Sequence, residues 1–241
     1  MRLLVVNVNT TSSMTDAIAE VARQAASTGT EVVAVTPRFG PASVESILEA
    51  HIAAVGIVDA AARHAQGCDA VVLAGFGELG REALQELLEI PVVDITEAAV
   101  HVACLLGHTY GVVTTLARAV PGIEDRLALA GLRTRCAGVR ATDIAVLDLG
   151  ADPAAAVEAI SAAAELSVRN DGAEVVCLGC AGMAGMAAEV SRRVGVPVVD
   201  GVAAAVRLAE SLHGLGLRTS KVGFYAPSPP KAFLGWPLAG G

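Results

Sequence analysis

Aromatic residues make up only 3% of the 241-residue chain, although 54% of it is hydrophobic. A core so short of rings must be built from Val, Leu, Ile and Ala. That mix suits parallel strands buried on both faces and covered by Ala-rich helices. Positive charge is also scarce: 17 Lys and Arg stand against 25 Asp and Glu, and no basic cluster offsets the net charge of −8. This excludes an electrostatic footprint for nucleic acid. Long apolar runs are missing too. Mean hydropathy is +0.58, yet no uninterrupted stretch approaches the ~18–20 residues of a membrane span, so no membrane partner is expected. The opening MRLLVVNVNT turns polar at Asn7 without a small-residue cleavage site. It reads as a first β-strand rather than a targeting peptide.

Cysteines number five, an odd count in a chain too large to need disulfide staples. Reduced thiols and a cytoplasmic location are the expectation. Cys177 and Cys180 form a C-x-x-C. Cys177 lies inside a strand, where residues three apart point to opposite faces. No second C-x-x-C accompanies them and the five His are scattered, so no metal site is expected.

What the chain does contain is alternation. Apolar strand-like runs begin at residues 2–8, 30–36 and 69–74, and PVVDI, YGVVTT, EVVCLG and PVVD follow, with helical patterns between them. Helices are expected at about 43 to 65, 120 to 130 and 183 to 194, a strand at about 132 to 140, and a loop-rich tail from about 217 that frays at its closing PLAGG. Asp152–Pro153 supplies an N-cap and first-turn pair for a helix over 152–170. The chain also repeats itself. DAVVLAGFG…IPVVDITEAAVHVA matches EVVCLGCAG…VPVVDGVAAAVRLA at an offset of about 105 residues. The expected fold is α/β, with two pseudo-twofold-related lobes around a cleft. Each lobe is a mostly parallel four-stranded sheet flanked by helices. Lobe 1 is read as residues 1–97 plus 208–241 and lobe 2 as 98–207. Ligands of parallel sheets sit beyond the carboxyl ends of the strands. Gly75 and Cys180 both fall at such ends, facing each other across the cleft.

NVNTTSSMT near the start, AGFGELG at 74–80, LGCAGM at 178–183, VPVVD at 196–200 and LRTSK at 217–221 together resemble the hydantoin and allantoin racemases of the aspartate/glutamate racemase superfamily. The resemblance runs in order through nearly the whole chain. It implies a cofactor-independent enzyme with a small-molecule substrate, working as a homo-oligomer. It also implies two cysteines, one per lobe, on opposite faces of a planarised carbanion. One thiolate removes the α-proton and the other thiol returns a proton from the far side. Cys180 matches the second of these, expected as a low-pKa thiolate next to the backbone N–H groups of Ala181 and Gly182.

The first cysteine has no counterpart. Where the family pattern reads A-C-F-[GS]-D-P-G, this chain has Ala74, Gly75, Phe76, Gly77, Glu78, Leu79, Gly80. Where the family has N-P-N, Val8 stands between Asn7 and Asn9. Gly75 is expected to leave space on the first face. Such a site has three outcomes: racemisation helped by water or Glu78, a one-sided reaction such as decarboxylation or tautomerisation, or small-molecule binding without thiol chemistry. Arylmalonate decarboxylases of the same superfamily resemble it in setting one second-lobe cysteine opposite a glycine. Candidate binding residues are Asn9, Thr10 and Thr11 after strand one, and Phe76, Gly77 and Glu78 after strand three. Thr114 and Thr115, together with Gly179, Ala181 and Gly182 around the cysteine, complete the set. For the threonines, capping of turns or helices is the competing role.

Overall fold

The computed structural model describes residues 1–77, 79–229 and 231–232. The first half contains β1 (Arg2–Asn7), α1 (Ser12–Ala25), β2 (Glu31–Val35), α2 (Ile47–His64), β3 (Ala70–Ala74), α3 (Arg81–Leu87) and β4 (Val92–Asp94). After α4 (Ile95–Leu106), the second half runs β5 (Tyr110–Thr114), α5 (Val120–Leu129), β6 (Cys136–Ala141), α6 (Pro153–Asp171), β7 (Val175–Leu178), α7 (Ala187–Val194), β8 (Val198–Val199) and α8 (Gly201–Gly214). The two halves build the same object twice. Their sheets are ordered β2-β1-β3-β4 and β6-β5-β7-β8, and every pair is parallel.

Period-two burial explains why the strands carry near-continuous apolar runs. Leu3 and Val5 of β1 point into a central core, and Leu4 and Val6 into an outer core under α2. Val113, Val176 and Leu178 in the second sheet meet Ile160 and Ala164 of α6 in a third core. The central core is shared by both sheets. Val72 and Ala74 of one lie in the same cluster as Val112, Val175 and Cys177 of the other. Side chains of α4 and α8 fill the space between them.

Those two helices tie the halves together. α4 follows the first sheet but packs against β5 and β7 of the second, while α8 follows the second sheet and packs against β3, β4 and α1 of the first. The boundaries expected at 97/98 and 207/208 fall inside these bridging helices. Asp94 caps α4 by accepting from Glu97 N–H, and Asp200 caps α8 by accepting from Val202 and Ala203 N–H. The two N-termini touch. A Cβ on Gly201 would lie 2.9 Å from the Ile95 carbonyl oxygen, so only glycine allows this approach.

Several boundaries differ from expectation. α2 starts at Ile47 because the Ser46 hydroxyl accepts from Glu49 N–H and ends the extended segment there. α7 starts at Ala187 because Ala181–Met183 forms a separate 3₁₀ turn. A 3₁₀ turn over Arg133–Arg135 delays β6 to Cys136. The stretch 217–229 is loop-rich as expected but fastened to the first half, while the closing PLAGG, expected to fray, lies outside the described residues. Thr219 donates its N–H to Glu89 and its hydroxyl to Ile90, at 2.9 Å each. Lys221 Nζ reaches the carbonyls of Gln85 and Glu86 at 2.6 and 2.8 Å. A cation there satisfies the orphan acceptors of α3's last turn and complements its dipole.

An ion network joins α5 to the first half. The Arg126 side chain, 1% exposed, reaches Glu82 and Glu97 at 2.7 Å each. Arg81 reaches the same two carboxylates at 2.8 and 2.7 Å, with Asp94 at 3.4 Å. Burial alone would raise Glu82, but hydrogen bonds from Arg81 and Arg126 hold it at about 2. A carboxylate lowered in this way stabilises the fold above its ordinary 4.5, and that stability is lost as pH falls toward 2. Removing one buried partner leaves charge uncompensated, so Arg126→Met is expected to cost about 3 kcal/mol in urea denaturation at neutral pH. The variant should also lose less stability than the wild type on acidification. Unchanged stability would mean that Arg81 alone satisfies the carboxylates.

Candidate functional site

In each sheet the order reverses between the two central strands, leaving a crevice at their carboxyl ends. The chain directs both crevices into one cavity of about 60 Å³. Val8 and Asn9 arrive after β1, Gly75, Phe76 and Leu79 after β3, Thr114 and Thr115 from the end of β5, and Gly179, Cys180 and Ala181 after β7. Gly75 and Cys180 therefore line the same hollow from different sheets.

Local structure presents the sulfur. Cys180 is extended (φ −160°, ψ 137°) and leads into the 3₁₀ turn, with its carbonyl accepting Met183 N–H at 3.0 Å. Its Sγ accepts Gly182 N–H at 3.3 Å. The glycines on both sides sit in tight packing, most strictly at 179 where backbone is the neighbour. A Cβ at 179 would meet Val112 Cγ1 at 2.8 Å and the Val113 carbonyl at 2.9 Å, and one at 182 would meet Leu149 Cδ1 at 2.9 Å. The expected low-pKa thiolate is corrected. Burial pushes the Cys180 thiol up to about 11, the Gly182 and Met183 N–H groups pull it down, and the Glu45 carboxylate pushes it up. The unliganded site thus holds a neutral thiol at physiological pH, a proton donor in its resting form. Cys177 takes no part: it is fully buried in the central core. Among the described residues no group of three or more His, Cys, Asp or Glu could hold a metal ion.

The predicted binding residues divide. Asn9, Phe76, Thr114, Thr115, Gly179 and Ala181 line the cavity. Asn9 Oδ1 accepts from Asn7 Nδ2 and Thr11 N–H at 3.0 Å each, while Asn9 Nδ2 points at Met14 Sδ, 3.3 Å away. A thioether is a weak acceptor, so this amide keeps donor capacity for a ligand carbonyl. The Thr114 hydroxyl donates to the Gly179 carbonyl and ties the ends of β5 and β7 together. Thr10 and Thr11 do not line the cavity. Their hydroxyls donate to the carbonyls of Pro41 and Ala42, holding the loop before α2 against the strand-one turn. Gly182 serves the sulfur instead. Gly77, at φ +116° with its N–H on Thr96 Oγ1, faces an outer vestibule. Glu78 lies outside the described residues.

The expected open space at Gly75 is also corrected. A Cβ there would lie 2.3 Å from Leu79 Cδ1 and 2.4 Å from Val8 Cγ1. Val8, Met14, Val44, Leu79, Ala119, Ile123 and Val146 complete the wall and were not foreseen. The only signal for Val8 and Leu79 was that they broke the family pattern. The cavity shares Val44, Phe76, Leu79, Ala119 and Ile123 with the neighbouring vestibule of about 310 Å³. Glu45 stands at this mouth and accepts Val146 N–H at 2.7 Å, linking a first-half loop to the second half.

A half-buried thiol raised to about 11 by desolvation sets a reactivity profile. Peptide-resolved alkylation of Cys180 by iodoacetamide is expected to be slow at neutral pH and to climb through about pH 10 without levelling. A plateau by about pH 9, the ordinary thiol range, would show that burial does not govern this sulfur.

The geometry agrees with what the chain is similar to. The family model described as Asp/Glu/Hydantoin racemase matches residues 3–209. A hydantoin racemase of Pseudomonas sp. (strain NS671) is 38% identical over 236 residues, covering 98% of this chain and 95% of the relative. The crystal structure of allantoin racemase from Pseudomonas fluorescens is 60% identical with a TM-score of 0.96, covering 98% of this chain and all of that one (100%). Allantoin racemase from Klebsiella pneumoniae is 40% identical with a TM-score of 0.94, covering 98% and 96%. Arylmalonate decarboxylase, 22% identical with a TM-score of 0.63, shares the fold. A match over most of the chain by the family model, together with full-length relatives at this identity, places the protein: it belongs to the Asp/Glu/hydantoin racemase family.

Proposed function

We propose that the chain is a racemase/epimerase-like isomerase that works without a cofactor. Its substrate would be a carbon acid such as a 5-substituted hydantoin or an amino-acid-like compound, with Cys180 as the acid/base. The observation that carries this reading is the position of the sulfur. It stands at the end of β7, inside the hollow onto which the central strands of both sheets open. The chemistry follows from that position. A carbon next to a carbonyl loses its proton to give a planar enolate. Cys180 meets one face of that plane and exchanges a proton with it. When the thiol has given its proton, the Gly182 N–H at 3.3 Å supports the negative sulfur. The Asn9 amide is placed to donate to a ring carbonyl, and Phe76 supplies an apolar wall.

A second reading is favoured by a specific observation. Among the described residues that line the cavity, Cys180 alone carries a titratable side chain. A one-sided isomerase, tautomerase or decarboxylase would need no other. A binding protein without turnover is the reading from a different class.

Hydrogen exchange separates these. With 5-benzylhydantoin in D₂O, the wild type is expected to label the ring carbon. Cys180→Ala should lower that rate by ~10²–10⁴-fold while far-ultraviolet circular dichroism stays unchanged. Label with inversion identifies a racemase, and label with retention a one-sided catalyst. No exchange despite measurable binding identifies a binder. An alanine variant that exchanges at the wild-type rate would remove Cys180 from the mechanism.

A further inference from the structure

A half-buried carboxylate at the mouth of the cavity, Glu45, is tied to the sulfur by two routes. The first is mechanical. Glu45 belongs to the loop before α2, which is fastened along its length. Thr10 and Thr11 donate to the carbonyls of Pro41 and Ala42. At Glu45 the backbone N–H donates to Glu49 Oε2 at 2.7 Å, beside the Ser46 cap of α2. Its side chain crosses the mouth. Oε1 accepts Val146 N–H, the first amide of a 3₁₀ turn over Val146–Gly150 that has no side-chain cap of its own. That turn packs on the one that presents the sulfur. Both meet at Gly182, where a Cβ would lie 2.9 Å from Leu149 Cδ1, 3.5 Å from Cys180 Sγ and 3.6 Å from the Val146 carbonyl oxygen. Gly182 N–H is the group that donates to Sγ. The second route is charge. Among the described residues no charged side chain lines the cavity itself. Asp16, Glu20 and Arg23 of α1 and Asp148 of the neighbouring turn are exposed. Asp200 accepts from the N–H groups of Gly185, Val202 and Ala203. Glu45 is the charged group that acts on the thiol, and a negative charge nearby disfavours a second one.

We infer that Glu45 is a positioning residue for Cys180: through Val146 it holds the turn that presents the sulfur, and with its charge it keeps that sulfur in the thiol form. Its effect on turnover rests on Cys180 being the acid/base, whereas its hold on the sulfur does not. A loop of the first half thus sets the placement and the protonation of a side chain from the second. Two substitutions separate the routes. Glutamine keeps an oxygen that accepts from Val146 N–H but carries no charge. Alanine removes both.

The test compares wild type, E45Q and E45A, each as the full chain. Peptide-resolved alkylation of Cys180 by iodoacetamide reads the charge. Without the carboxylate the thiolate forms more easily, so E45Q should react ~3-fold or more faster than wild type at about pH 8.5, with its profile displaced to lower pH. A profile that coincides with the wild type would overturn the inference. Amide hydrogen exchange followed by mass spectrometry reads the hold. Peptides covering 145–150 and 179–184 should exchange ~10-fold or more faster in E45A, the scale of one lost hydrogen bond to a charged group, and near the wild-type rate in E45Q. Unchanged exchange in E45A, or loosening confined to 145–150, would show that the bridge does not reach the sulfur and would also overturn the inference. With 5-benzylhydantoin in D₂O, E45A should lose ~10-fold or more in kcat against a smaller change in KM. A wild-type kcat in E45A would reject the positioning role. If Cys180→Ala labels the substrate at the wild-type rate, the catalytic reading falls, and the alkylation and amide-exchange results still decide whether Glu45 governs the sulfur. If the alanine variant does not fold, the alkylation profile of E45Q decides.

Discussion

Everything in this molecule follows from one constraint: a parallel sheet has two apolar faces and neither can be left to water. Each half covers its outer face with its own helices, α2 and α3 on one side, α6 and α7 on the other. The inner faces are covered jointly. α4 and α8 each cross to the opposite sheet, and their N-termini meet where Gly201 presses on Ile95. That shared layer fixes the halves at one separation, so the carboxyl ends of their central strands converge on a common hollow. Close packing of this kind resists continuous deformation. The mouth of the cavity is bridged as well, where Glu45 accepts from Val146 across the two halves.

Much of the fold was legible in the residues. The apolar runs LLVV, AVVLA and VVCL are fully buried strands, and the shifted repeat of GFG and GCAG blocks reappears as identical strand order in two sheets. Asp94 and Asp200, at matching strand ends, are matching helix caps. Positions whose role depends on long-range packing were not legible. The TSK stretch near the end carried no local signal for its seat on α3. Nothing local in the sequence around Arg126 points to its partners Glu82 and Glu97, which lie 29 or more positions away.

The site followed the same rule. Cys180 and its flanking glycines were readable as a motif at a strand end, although the reason for Gly179 lies in its packing on the neighbouring strand. Thr10 and Thr11 were misassigned because a hydroxyl after a strand serves a ligand and a neighbouring loop equally well, and only the loop's own path decides. The state of the thiol was misjudged for a related reason. N–H groups near a sulfur lower its pKa, but the cost of burying a thiolate is larger here, and burial is a property of the whole fold. At Gly75 the sequence shows a missing side chain, while in the fold Val8 of another segment and Leu79 of the same loop stand where that side chain would begin.

The crossing of α8 bears on how the protein comes into being. Residues 201–214 form part of the lid on β3 and β4, and Thr219 and Lys221 clasp α3. The first sheet is therefore completed by residues that come after the whole of the second sheet. Without α8, the part of that face over β3 and β4 lacks much of its cover. Contacts of such sequence separation are slow to form and leave apolar surface exposed meanwhile. The two sheets therefore depend on each other for closure, because the helix that follows the second sheet packs on the first.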